Sequence, residues 1–184
     1  MYPQCPVIPA GDLWVFGYGS LMWNPGFTYV RAAPALLRGY HRSFCVYSVR
    51  FRGTPEQPGL VLGLDRGGAC RGIAFRVAEN DVREVIAELW AREMPRLVYH
   101  ARLLPIEVES QKVHALAFTA DRRHASYAGL LEPERVAQTI ASCCGARGPN
   151  VDYLVNTLKH LEDLGIRERR LHRLLQAVQA LTST

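Results

Sequence analysis

Cysteine is too sparse and too irregular to build anything here. Cys5, Cys45, Cys70, Cys143 and Cys144 are odd in number and hold no Cys-x-x-Cys pair, so neither a zinc ligand set nor a disulfide framework is expected. A reducing cytoplasm is the expected compartment. No stretch approaches the roughly 20 apolar residues of a membrane span, and residues 1–12 lack a basic stretch followed by an apolar run. These absences predict a soluble, cytoplasmic protein that is not exported. The histidines are scattered without His-x-His or His-x-x-x-His spacing, so they read as surface or core residues and not as a metal-ligand set. There is no internal repeat and no low-complexity segment.

Several catalytic signatures are also missing. Ser20 is not set in the Gly-x-Ser-x-Gly elbow of a serine hydrolase. Gly17-x-Gly19 falls short of a dinucleotide fingerprint, because Met22 stands where the third glycine belongs and Asn24-Pro25 follows instead of a helix. His41 and Cys45 share a face of a strand but sit too far apart along it for a hydrogen-bonded dyad, so Cys45 reads as a buried thiol.

What is present is ample apolar material. With 184 residues, 48% of them hydrophobic, the chain suits one sizeable core: a single domain over residues 13–184 behind an extended, proline-bearing lead-in over residues 1–12. A formal charge of +5 and a pI near 9.1 favour anionic ligands. Nucleic acid is a candidate on charge alone, yet Arg167, Arg169, Arg170 and Arg173 read more simply as the solvated face of an amphipathic helix, and no nucleic-acid partner is expected. Oligomeric state leaves no signature.

Residues 13–18 predict a first strand and residues 36–48 a long β segment. Residues 50–59, polar and broken by glycine and proline, predict a loop whose Arg50 and Arg52 could meet a carboxylate. Residues 60–64 and 72–77 predict two strands of a hairpin turned by Asp65-Arg66-Gly67-Gly68. The period then changes. Val82, Val85, Ile86, Leu89 and Trp90 form one stripe of a helix over residues 81–94, with Asp81 and Glu84 as a capping box and Pro95 as its end. Two more β segments, 97–108 with Pro105 at a bend and 113–120, precede three helices. These are 133–144, burying Val136, Ile140 and Cys143 and stopped by Gly145; 151–164, capped by Asn150 and stopped by Gly165; and 168–181, with Leu171, Leu174, Leu175, Val178 and Leu181 on one face. Strands first and helices after give the α+β class, a mixed fold.

Two places carry chemistry. Residues 14–23 run from an apolar strand into the turn Gly17-Tyr18-Gly19-Ser20-Leu21-Met22, where a row of backbone N–H groups suits an anion; an ordinary tight turn is the plainer reading. Glu93 falls seven residues after Ile86, back on the buried stripe. Burial and the negative end of the helix would both raise its pKa and make it a general base, unless it reaches solvent or pairs with Arg92 or Arg96.

The string Phe16-Gly17-Tyr18-Gly19-Ser20-Leu21-Met22-Trp23 resembles the signature loop of the ChaC family of γ-glutamylcyclotransferases. Similarity continues through Leu37-Arg38-Gly39-Tyr40, Gly72-Ile73-Ala74-Phe75, Arg92-Glu93 and Gly148-Pro149-Asn150 with Tyr153. Met94-Pro95 stands where many relatives have a Gly-Gly-Tyr turn. The resemblance implies a small β-barrel-like sheet with surrounding helices and an enzyme needing no cofactor, which cleaves glutathione to 5-oxoproline and Cys-Gly. Glu93 would be the catalytic residue, with Gly17, Tyr18, Gly19, Ser20, Leu21, Met22, Arg50 and Tyr153 about the substrate. Cyclotransfer on other γ-glutamyl peptides or amines, or a module that only binds γ-glutamyl ligands, are the alternative readings.

Overall fold

Burial alternates or runs continuously along each strand as its position requires. β1 (Leu13–Gly17) hides all but Trp14 and pairs antiparallel with β3 (Gly59–Val77) through Leu13↔Val77 to Gly17↔Ile73, and parallel with β5 (Gln111–Ala120) through Trp14↔Ala115. β4 (Tyr99–Val108) is antiparallel to β5 along its whole length. It also pairs with β2 (Arg31–Ser48) from Ala35↔Val108 to Leu37↔Ile106, a ladder that ends beside Pro105, which has no amide hydrogen to extend it. The strands close a barrel in the order β1-β3-β2-β4-β5. Closure removes the edges along which an open sheet would aggregate. Pro105 stays inside β4, opposite His114, where a bend is expected from the sequence.

The computed structural model describes residues 5–182. Pro3, part of the expected lead-in, lies outside them, and residues 5–10 have no regular secondary structure. The chain forms two compact units. Residues up to 42 with Gly63–His124 make one, holding β1, β4, β5, most of β2 and β3, and α1 (Val82–Glu93); Ser43–Leu62 with the residues from 125 onward make the other. In the first, Phe16, Leu37, Leu64, Leu89, Ile106, Leu116 and Phe118 are fully enclosed, and Trp90 of α1 meets Phe118 edge-on at 5.7 Å between centroids. In the second, α2 (Pro133–Ser142), α3 (Asn150–Asp163) and α4 (Arg169–Thr182) pack around Ile140, Leu154, Leu161, Leu171 and Val178.

Several expectations are corrected. The predicted hairpin over residues 60–77 is one 19-residue strand, β3, because Gly67 (φ 100°) and Gly68 (φ 70°) kink the strand instead of reversing it. The tight turn lies elsewhere: Glu109 and Ser110, both at positive φ, join β4 to β5 as in a type I′ turn. Asp81 forms no capping box; it ends a 3₁₀ turn (Glu79–Asp81) that leads into α1 without a side-chain cap. Asn150 does not cap α3 either. Fully buried, it donates from Nδ2 to the Leu60 carbonyl at 2.8 Å and accepts the Leu60 amide at 2.6 Å, completing a backbone pair that β3 lacks there. Helix α2 ends at Ser142, and Cys144–Gly145 (β6) pairs with Gly148–Pro149 (β7). Leu181 remains exposed and Val136, Leu174 and Leu175 are half-buried, so two of the predicted apolar faces are only partly covered. Gly165 does stop α3, at φ 69°, with its amide returning to Glu162.

Candidate active site

Three features of β1 and its neighbours shape the loop after it. Gly72 crosses β1 so closely that a Cβ there would lie 2.2 Å from the Gly17 carbonyl oxygen, which makes glycine obligatory at that crossing. Ser20–Met22 then winds into a 3₁₀ turn, with the Met22 amide donating to the Gly19 carbonyl at 2.9 Å and the Asn24 amide to Ser20 at 2.9 Å. Leu21, Met22 and Tyr18 are buried, so their side chains anchor the loop. Among the described residues, the Gly19, Ser20 and Leu21 amides donate to no protein acceptor. Such a run of N–H groups is suited to an anionic or developing-oxyanion oxygen. Beyond the loop, Phe27 and Tyr29 pack against Phe75 at 5.6 and 5.0 Å, which fixes the return of the chain toward β2.

Arg42 holds the loop from below. It is 5% exposed, and its guanidinium donates to the Tyr18 carbonyl at 2.5 Å and the Arg71 carbonyl at 2.7 Å, with Met22 Sδ at 3.7 Å. Sequence reasoning passed over this residue. A signal existed: Arg42 shares the parity of the buried Phe44, Val46 and Ser48 on β2, and a charge on that parity demands partners.

Glu93 ends α1. The Met94 amide still bonds to the Trp90 carbonyl, and Met94 is buried, so the helix does not unwind before the carboxylate. The Glu93 side chain is 17% exposed, and its Oε1 lies 3.2 Å from Arg92 Nε. Burial pushes its carboxyl above the ordinary glutamate range, and the Arg92 guanidinium pulls back only in part. Glu93 is therefore both desolvated and the partner of Arg92. Arg92 does more than pair. Its Nη1 donates to the Asn24 and Pro25 carbonyls at 2.6 and 3.0 Å, and its Nη2 to Ser20 Oγ at 2.9 Å. One planar guanidinium thus ties the carboxylate to the loop. The turn that follows has Leu97 at φ 52°, a left-handed position filled without glycine.

Arg50, Arg52 and Tyr153 belong to the second unit. Arg52, in the predicted loop, meets carbonyls and not a carboxylate among the described residues. Its Nη1 donates to the Arg147 and Pro149 carbonyls at 2.8 and 2.9 Å, and the guanidinium lies 5.5 Å from the centre of the Tyr153 ring, which also meets Phe44 at 5.8 Å. Arg50 is exposed and rests over Phe51 at 5.4 Å, leaving its N–H edges unengaged by any acid among the described residues. No group of metal-ligating side chains occurs among the described residues.

The chain matches the family described as ChaC-like protein over residues 13–181. The glutathione-specific gamma-glutamylcyclotransferase of Escherichia coli (strain K12) is 36% identical over 172 residues, covering 93% of this chain and 74% of that protein. Glutathione-specific gamma-glutamylcyclotransferase 1 of Mus musculus is 32% identical over 176 residues, covering 92% and 79%. In fold, the crystal structure of the selenomethionine-labelled yeast gamma-glutamyl cyclotransferase specific to glutathione agrees with a TM-score of 0.82 at 20% identity, over 92% of this chain and 96% of that one. By its family match and by these relatives, the chain belongs to the ChaC-like family of γ-glutamylcyclotransferase enzymes.

Proposed function

We propose that the protein cleaves glutathione to 5-oxoproline and Cys-Gly, with Glu93 as general base and the Gly17–Met22 turn as the seat of the γ-glutamyl group. The observation that carries this reading is the single guanidinium of Arg92 joining a desolvated carboxylate to a loop with unpaired amides. In the reaction the substrate supplies its own nucleophile. Its α-ammonium gives a proton to Glu93, the freed nitrogen attacks the γ-carbonyl carbon, and a five-membered lactam closes. The amide C–N bond then breaks as Glu93 returns the proton to the leaving nitrogen of Cys-Gly, and the ring nitrogen gives its second proton to the same amine, which departs as an ammonium. Water takes no part in the balance. The protein's task is to hold the substrate folded, worth several kcal/mol in such ring closures, and to meet the oxyanion with N–H groups such as those of Gly19, Ser20 and Leu21.

Two measurements test this. Glu93→Gln keeps the side-chain shape and loses basicity, so formation of 5-oxoproline should fall to background while glutathione binding by calorimetry stays within about tenfold. Near-normal turnover in that variant would remove the assignment. Glutathione acetylated on its α-amino group should not react at all; release of free glutamate from it would make water the nucleophile.

A further inference from the structure

The barrel carries a second concave site that shares no residue with the Ser20, Arg92 and Glu93 cluster. A cavity of about 540 Å³ is lined by Arg66 of β3, His100 and Arg102 of β4, Arg122 and Arg123 just beyond β5, and Tyr40 of β2. Its acids are already committed. Asp65 is 3% exposed and accepts Arg122 Nε at 2.7 Å. Asp121 accepts the Arg123 amide at 2.9 Å and faces His100 Nε2 at 3.2 Å, and the Arg123 amide is the main cause holding its carboxyl below the ordinary range. The His124 amide closes the same turn onto the Asp121 carbonyl at 3.1 Å, so the backbone that carries Arg122 and Arg123 is held in a hydrogen-bonded turn. Among the described residues, the guanidiniums of Arg66, Arg102 and Arg123 and the hydroxyl of Tyr40 have no hydrogen-bond or ion-pair partner.

We infer that this cavity binds a small molecule carrying a diphosphate group. Three uncommitted guanidiniums around one concavity exceed what a single carboxylate can satisfy, and planar N–H forks match phosphate oxygens two at a time. The concavity suits a compact ligand, and Tyr40 can donate to a phosphate oxygen or lie against a ring attached to it.

The test is calorimetric titration of the intact protein with inorganic pyrophosphate, orthophosphate and ADP. Pyrophosphate and ADP should bind saturably at one site, orthophosphate at least tenfold more weakly. Tighter binding of ADP than of pyrophosphate would identify a nucleotide as the source of the diphosphate, and equal binding the free anion. Arg66→Ala and Arg123→Ala, both at exposed positions, should each weaken pyrophosphate at least tenfold, whereas Arg83→Ala on α1 should not, and glutathione turnover should persist in all three. Four results would overturn the inference: no saturable binding of either diphosphate, unchanged affinity in both arginine variants, displacement of pyrophosphate by saturating glutathione, or tighter binding of a single-stranded RNA through the same arginines.

Discussion

Glu93 sits where its charge is costly, and that cost sets a pH dependence. The proposed role as base requires it ionised, so kcat/KM should fall on the acid side with a midpoint above the ordinary glutamate value of about 4.3. Stability runs the other way. The native carboxyl holds its proton more tightly than the unfolded one, so between the ordinary value and the raised native value the folded state binds more protons and stability drops as pH rises. Thermal melts should therefore show Glu93→Gln gaining on the wild type at pH 7 and losing that advantage near pH 4. A constant difference across this range would mean Glu93 titrates as an exposed group. Arg92 is a positioning residue for both sides of the site. Arg92→Ala should lower kcat by about ten- to a hundredfold, the equivalent of one or two charge-assisted hydrogen bonds, with Arg92→Lys recovering part because an ammonium cannot span Glu93, Ser20 and the 24–25 carbonyls together. Equal loss in both variants, in KM alone, would assign Arg92 to substrate binding instead.

At the level of elements, strand β2 and helix α1 grip the signature loop from two sides. Arg42 supplies the β2 grip, so Arg42→Leu strands the Tyr18 and Arg71 carbonyls in a buried setting at about 1–3 kcal/mol for each unsatisfied group. Urea denaturation should report a loss of that order, and the loosened loop should lower kcat/KM beyond what the stability loss explains. Unchanged stability would mean that water replaces the guanidinium. The α1 grip was visible in advance, since its stripe of Val85, Ile86, Leu89 and Trp90 is buried as the period predicts and carries Arg92 and Glu93 at its end. Its start was not, because a 3₁₀ turn from Ala78 replaces the capping box that Asp81 and Glu84 suggest.

For the whole molecule, the formal charge of +5 would act on the proposed substrate, glutathione, which is net negative at neutral pH. Raising ionic strength from about 0.05 to about 0.5 M should raise KM for glutathione a few-fold and leave kcat nearly unchanged, since salt screens long-range attraction but not a pair desolvated in the site. A fall in kcat with KM constant would place the salt effect on the Arg92 and Glu93 pair.

The sequence by itself determined what depends on near neighbours along the chain. The strand that opens into Gly17-Tyr18-Gly19-Ser20, the period that returns Glu93 to the buried stripe, the glycine that ends α3, and the α+β order all follow from spacings of a few residues. Tertiary structure decided what depends on a distant partner. Arg42 meets a carbonyl 24 residues back, Arg92 meets Ser20 across 72 residues, and Asn150 meets Leu60 across 90. The residue type announces only that such a group needs partners; closure of the barrel and packing of the helices decide which ones it finds. The same cause straightened the expected hairpin into β3: Gly67 and Gly68 permit either a turn or a kink, and pairing with neighbours far along the chain selects the kink.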